Sequence, residues 1–189
     1  MPGKSDGGAF PLGSTVYLDE CKTRSYSLAA AACPSAQSVL AVARTLRRLV
    51  RPGQRRIHFK SESDSSRRRL LSEMVELDVR VRLYEISGLS DRLARAACLE
   101  ALLDDIARSG TRRLLIERDA SVEVGDRRII RAHLERIEYR HRLEYSHREP
   151  YGEPLLWVSD AVAWCRQAGG EWRRRSAPLI DAVVSLERC

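Results

Sequence analysis

Two hydrophobic periods alternate along the chain. Residues 14–19, Ser-Thr-Val-Tyr-Leu-Asp, form a short run rich in β-branched and aromatic side chains, which predicts a strand. Thr15, Tyr17 and Asp19 then share one face, while Val16, Leu18 and Glu20 share the other. After Lys22-Thr23-Arg24 a second apolar run, 26–32, completes a hairpin across a loop of about five residues. Cys33-Pro34-Ser35 opens a helix with Ala36, Val39, Leu40, Ala43, Leu46 and Val50 on one side and Arg44, Arg47, Arg48 and Arg51 between them; Pro52-Gly53 stops it. Residues 56–60 read as a brief strand, and 65–77 as a helix with Leu70, Leu71, Met74, Val75 and Leu77 buried.

The pattern continues with a strand at 79–86, which alternates with period two through its first five positions, and a long helix from Ser90 to Gly110. A strand over 112–117 again runs from apolar residues into acids, with Asp119 two positions beyond. A helix over 126–137, a strand within 140–147 and a helix from Glu153-Pro154 to Gly169-Gly170 follow. The stretch 155–165, Leu-Leu-Trp-Val-Ser-Asp-Ala-Val-Ala-Trp-Cys, is apolar all round except for Ser159 and Asp160, which predicts a buried helix with a carboxylate at its middle. Such a carboxylate requires a partner, because burying it bare costs several kcal/mol. Trp157 and Trp164 read as core rather than as a platform for bases. The tail predicts a last amphipathic helix carrying Leu179, Ile180, Val183, Val184 and Leu186, which either caps the core or supports a homodimer.

One globular domain is expected, with a Gly/Pro-rich flexible leader over 1–13 and no linker long enough to divide the rest of the chain. The chain has 189 residues, and no apolar run approaches the roughly 20 residues of a spanning helix, so no membrane role is expected. The first residues lack the apolar core of a secretory signal. Five scattered cysteines with no C-x-x-C pair argue against a disulfide framework and a zinc cage, and fit a reducing cytoplasm. A net charge of +7 and a pI near 9.5 favour an anionic partner, of which nucleic acid is the commonest. Lys22, Lys60, Arg67, Arg68, Arg118 and Arg127 are the candidate contacts to it.

The candidate chemistry lies in acids at apolar boundaries: Asp19 on the first strand, Glu117 and Asp119 after a later one, and Asp160 in the buried helix. Hard cations such as Mg²⁺ and Mn²⁺ take oxygen ligands, and acids from distant positions converge wherever such ions drive phosphodiester cleavage. An R-x4-H spacing recurs at Arg128/His133, Arg136/His141 and Arg142/His147, as chance gives in an Arg-rich chain; the many strands oppose the all-helical ribonuclease it would suggest.

Val16-Tyr17-Leu18-Asp19-Glu20, Ile57-His58-Phe59-Lys60-Ser61-Glu62, Leu115-Ile116-Glu117-Arg118 followed by Asp126-Arg127-Arg128, and the 155–164 helix together resemble successive motifs of a bacterial RNase H-like group, the domain-of-unknown-function 3800 family (DUF3800). The resemblance spans about residues 14–168 and implies an RNase H-like α/β fold there, a mixed β-sheet flanked by α-helices with a metal site at its acids, followed by a helical extension of the same domain over 169–189. By position, Asp19, Glu62, Glu117 and Asp160 are its catalytic acids, and Asp19, Glu117, Asp119 and Asp160 its ligands for Mg²⁺ or Mn²⁺. Glu117, Asp119 and Asp126 compete for the mid-chain role, and Cys21 stands where a small hydroxyl residue or Gly is usual. The function implied is a metal-dependent nuclease. The alternative is a catalytically inactive nucleic-acid-binding or defence-associated module of the same fold.

Overall fold

A computed structural model describes residues 8–22 and 26–187. Six strands, β1 (Thr15–Lys22), β2 (Tyr26–Ala32), β3 (Arg80–Ile86), β4 (Arg113–Glu117), β5 (Glu144–Arg148) and β6 (Ile180–Ser185), form one sheet in the order β5-β4-β1-β2-β3-β6. The strands β1, β2 and β3 pair antiparallel, whereas β4 on β1, β5 on β4 and β6 on β3 are parallel. The six α-helices are α1 (Ala36–Leu49), α2 (Asp64–Met74), α3 (Asp91–Ser109), α4 (Glu123–Arg136), α5 (Pro154–Ala168) and α6 (Gly170–Ser176).

Period-two alternation in the strands sorts the core into two layers. Tyr17, Ala29, Ala31, Leu83 and Leu115 face one side, where they pack under α1, α2 and α5. Val16, Leu18, Leu28, Ala30, Tyr84, Leu114 and Ile116 face the other, under α3 and the buried Ile130 and Leu134 of α4. The central strand β2 ends Ala29-Ala30-Ala31-Ala32, a run that favours helix in isolation; its position between two paired strands overrides that preference. Its small side chains let α5 and α3 lie close against the middle of the sheet. Ser159 is the buried polar residue of α5, and its Oγ donates to the Tyr17 carbonyl at 2.8 Å, fixing the helix over β1.

The expected element types hold for β1, β2, β3, β4, β5 and for α1 through α5. Two segments differ. Residues 56–60 form no strand: Ile57 and Phe59 are buried, and the chain turns through a 3-10 turn at Phe59–Ser61. The tail is not a terminal helix, because after α6 and a 3-10 turn at Ala177–Leu179 it enters the sheet as β6 beside β3. The spacing of Ile180, Val183 and Val184 is helical, and in the strand Val183 is left exposed, so the edge of β3 and not the apolar period decides the form. Pro178 and the β-branched residues suit the extended form once the free edge of β3 supplies the hydrogen bonds. The expected leader and hairpin loop fall partly on residues 1–7 and 23–25, outside the described residues.

Candidate acidic site

The register of β4 on β1 pairs Tyr17 with Leu115 and Leu18 with Ile116. One step further along both strands, Glu117 comes beside Asp19, on the face that carries Tyr17 and Leu115. That face lies under α5. With Ser159 anchored on the Tyr17 carbonyl, the next residue, Asp160, is brought over the ends of the two strands. Acids from β1, β4 and α5 thus meet where the apolar layer ends.

Each acid has a different set of partners. Asp19 is half-buried, and its Oδ1 accepts from the Glu20 backbone N–H at 2.7 Å. Glu117 Oε1 accepts from Arg56 Nη1 at 2.8 Å, whereas its Oε2 is buried without a hydrogen-bond partner among the described residues. Asp160 Oδ2 accepts from the Phe59 N–H at 2.8 Å and lies 3.5 Å from His58 Nδ1, an ion-pair separation rather than a hydrogen bond. Burial holds the Asp19 carboxyl well above the usual carboxylate range, Glu117 and Asp160 push it further, and Arg56 and Arg95 oppose them. Burial also raises Glu117 despite Arg56 beside it, and the Asp160 carboxylate raises His58. Burial is thus the first cause of both raised carboxyls, and neighbouring carboxylates add to it.

The remaining acids occupy other places. Glu62 is buried in a network of its own, accepting from Arg51 Nη2 at 2.8 Å, Gln54 Nε2 at 3.1 Å and Ser66 Oγ at 2.7 Å. Asp119 is exposed, and its Oδ1 accepts from the Ser121 N–H at 2.9 Å and Oγ at 2.7 Å, bonds that hold its carboxyl below the usual range at the entrance to α4. It lines a cleft of about 400 Å³ together with Asp19, Glu20, Arg95 and Glu117. Asp126 lies across the sheet on α4, fully buried. It accepts from Arg95 Nη2 at 2.7 Å and from His147 Nε2 at 2.9 Å. Of the three competing mid-chain acids, Glu117 is the one beside Asp19.

Glu20, for which the sequence offered no partner, is bound by Lys22 at 2.6 Å and by Arg95 and the Tyr26 hydroxyl. The candidate nucleic-acid contacts are mostly engaged within the chain. Arg68 forks onto Glu171 at 2.8 and 3.2 Å, Arg127 pairs with Glu123 at 2.6 Å, and Arg118 with Glu149 at 3.3 Å. Arg67 lies 4.2 Å above the Trp164 ring and donates to the Phe59 and Lys60 carbonyls, which makes it a structural strut. Lys60 is exposed. Trp157 is buried, with its indole N–H on the Pro150 carbonyl at 2.6 Å, as a core residue should be.

Arg56 was missed as a member of the site, and His58 reads in the sequence as a structural hydrogen-bonder rather than a general base. The available signal was local: both flank Ile57, whose burial together with Phe59 fixes the segment against the core. Among the described residues, no three His, Cys, Asp or Glu side chains stand close enough to hold one ion as they lie. The donor chemistry does fit a hard divalent cation, since Asp19, Glu117 and Asp160 offer only oxygens and Glu117 Oε2 is buried without a partner.

No family model matches the chain, and no curated protein is recognisably similar to it in sequence. Solved structures do resemble it. A chain of the PCNA:RNase HII complex from Archaeoglobus fulgidus superposes with a TM-score of 0.53 at 16% identity, covering 82% of this chain and 73% of that one. Bst-RNase HIII, solved in complex with Mn²⁺, gives a TM-score of 0.48 at 15% identity over 82% of this chain, which spans 52% of that protein. The mixed sheet with its flanking helices is therefore an RNase H-like fold.

Proposed function

We propose that the protein is a metal-dependent nuclease acting on nucleic acid, with Asp19, Glu117 and Asp160 as the carboxylates that hold Mg²⁺ or Mn²⁺. The observation that carries this reading is the meeting of three acids from β1, β4 and α5 with one buried carboxylate oxygen left unpaired. The RNase H-like fold and the motif resemblance to the domain-of-unknown-function 3800 family support it. A bound divalent cation would supply a nucleophilic water at neutral pH and neutralise charge on the leaving oxygen. The chain's own part is to converge the acids, to fix Asp160 through the Phe59 N–H, and to offer Lys60 to phosphate at the edge. Asp119, exposed on the same cleft, is the outer acid of the set; Glu62, with its oxygens engaged elsewhere, serves the fold.

A second reading, a catalytically silent nucleic-acid-binding module, is favoured by one contact: Arg56 already neutralises Glu117. One experiment separates the two. Single-stranded and duplex DNA, RNA and a hybrid are incubated with the protein in Mn²⁺, alongside Asp19→Asn and Asp160→Asn. The nuclease reading expects cleavage by the parent chain that both substitutions abolish. Cleavage surviving both would sink it, and salt-steep binding without cleavage would establish the silent module.

A further inference from the structure

We infer that Arg56 is a built-in counter-cation that competes with the divalent ion for Glu117, and so sets how tightly the acidic site takes metal. This rests on the reading of Asp19, Glu117 and Asp160 as the metal-holding acids.

The segment between α1 and α2 is strapped across the site at several points. Arg51 and Gln54 hold Glu62, Arg55 lies 4.6 Å above the Tyr151 ring, Ile57 and Phe59 are buried in the core, and the Phe59 N–H is on Asp160. With its neighbours so anchored, the Arg56 backbone is held beside the acids, and its guanidinium reaches Glu117 through a single 2.8 Å contact. That contact uses only Oε1 and leaves Oε2 buried and unpaired, so the pair is not the two-pronged arrangement that best satisfies a carboxylate. The three carboxylates have Arg56 on Glu117, a histidine 3.5 Å from Asp160 and, further off, Arg95, which is itself bound to Glu20 and Asp126.

Arg56 also accounts for an otherwise awkward pair of facts. The donor chemistry suits a hard cation, yet no three ligand-type side chains lie close enough to share one. Glu117 is held by Arg56 and Asp160 by the Phe59 N–H, each drawn toward the strap. An ion taken up at Glu117 must either share the carboxylate with Arg56 or displace it, and in both cases the guanidinium opposes the ion and lowers its affinity. Displacement asks only the Arg56 side chain to rotate, because its backbone is fixed on both sides.

The test measures Mn²⁺ binding by calorimetry and by loss of the free-ion electron paramagnetic resonance signal, with no substrate present. The variants are the parent chain, Arg56→Ala, Arg56→Lys, Asp19→Asn, and Arg113→Ala as a charge control, since Arg113 pairs at 3.2 Å with the exposed Glu144. Arg56→Ala is expected to tighten Mn²⁺ binding about tenfold, the size expected for loss of one charged hydrogen bond at a half-buried site. Arg56→Lys should fall between it and the parent, and Arg113→Ala should leave the affinity unchanged. In EDTA, Arg56→Ala should melt below the parent, because the acids lose their counter-charge, and Mn²⁺ should raise its Tm by more than the parent's. Equal or weaker binding by Arg56→Ala, with the parent binding and Asp19→Asn not, overturns the competition while leaving the metal site intact. Tightening by Arg113→Ala equal to that by Arg56→Ala reduces the effect to net charge and also overturns it. No binding by any variant overturns both the competition and the metal site.

Discussion

Neutralising Asp19 should stabilise the metal-free protein while destroying its capacity to bind metal. In Asp19→Asn the side chain keeps its shape, and its Oδ1 can still accept the 2.7 Å bond from the Glu20 N–H, so the change removes charge and little else. Folding raises the Asp19 carboxyl well above its ordinary value of 3.8, through burial first and then through Glu117 and Asp160. The sign follows from linkage: a carboxyl raised on folding adds nothing below the unfolded value and progressively destabilises the charged folded state as pH climbs above it. Parent and variant should therefore be equally stable near pH 3 and diverge in favour of Asn from about pH 4 upward. Removing one of three crowded charges should gain about 0.5–2 kcal/mol at pH 7, the usual yield of a single stabilising substitution. For a chain of 189 residues, where about 1 kcal/mol shifts Tm by about 2–4 °C, that is a rise of about 1–8 °C. The assay is thermal unfolding followed by circular dichroism from pH 3 to pH 8 in EDTA, then repeated with Mn²⁺. At an ion concentration 100 times Kd the parent gains about 2.7 kcal/mol and overtakes the variant, which gains nothing. An Asp19→Asn protein less stable than the parent at pH 7 in EDTA would refute the reasoning, because it would mean that the acid is satisfied where it lies.

The opposite result is expected across the sheet, where Asp126→Ala strands the buried Arg95. Arg95 is 7% exposed at its side chain and Asp126 0%; removing one partner of such a pair costs about 3–5 kcal/mol, and the lower end applies because Arg95 keeps Glu20 and Tyr26. Urea unfolding should show this loss, and a value under about 1 kcal/mol would make the network dispensable. Burial pushes the Asp126 carboxyl up, but Arg95 and His147 outweigh it and hold it below the ordinary value of 3.8; the stability it contributes is present above that value and lost as pH falls beneath it. The thiols of Cys33, Cys98 and Cys165 are each pushed up to about 12, burial being the largest cause. Peptide mapping after treatment with a thiol reagent at pH 8 should find all three unlabelled in the native protein and labelled in urea. Labelling of native Cys98 at the rate of a free thiol would contradict its burial.

Much of the fold is legible in the chain because local pattern and tertiary environment agree. The strand β1 is a run of β-branched and aromatic residues, α1 is amphipathic with Ser35 as its N-cap, and α5 is apolar on every side and is buried on nearly every side. Agreement fails at Ile180, Val183 and Val184, whose helical spacing is overridden when the open edge of β3 takes the segment as a strand. It fails also at 56–60, where the Phe59 N–H that a strand would give to a neighbour goes to Asp160 instead.

For the site, the sequence by itself picked out the candidate acids: those at the ends of apolar runs, and one inside a helix with no polar face, where a bare charge cannot stay unpaired. It also determined that Asp19 and Glu20 part company, since neighbours on a strand point to opposite faces. Which acid Asp19 meets was decided only in three dimensions. Glu117 and Asp126 both carry carboxylates and lie nine positions apart, and nothing local ranks them; the parallel register of β4 on β1 sets Glu117 beside Asp19, while the turn of α4 carries Asp126 beneath the opposite layer to Arg95 and His147. Register depends on the packing of both sheet faces at once, and Arg56 reaches Glu117 from 61 residues away, so neither could be read from spacing along the chain.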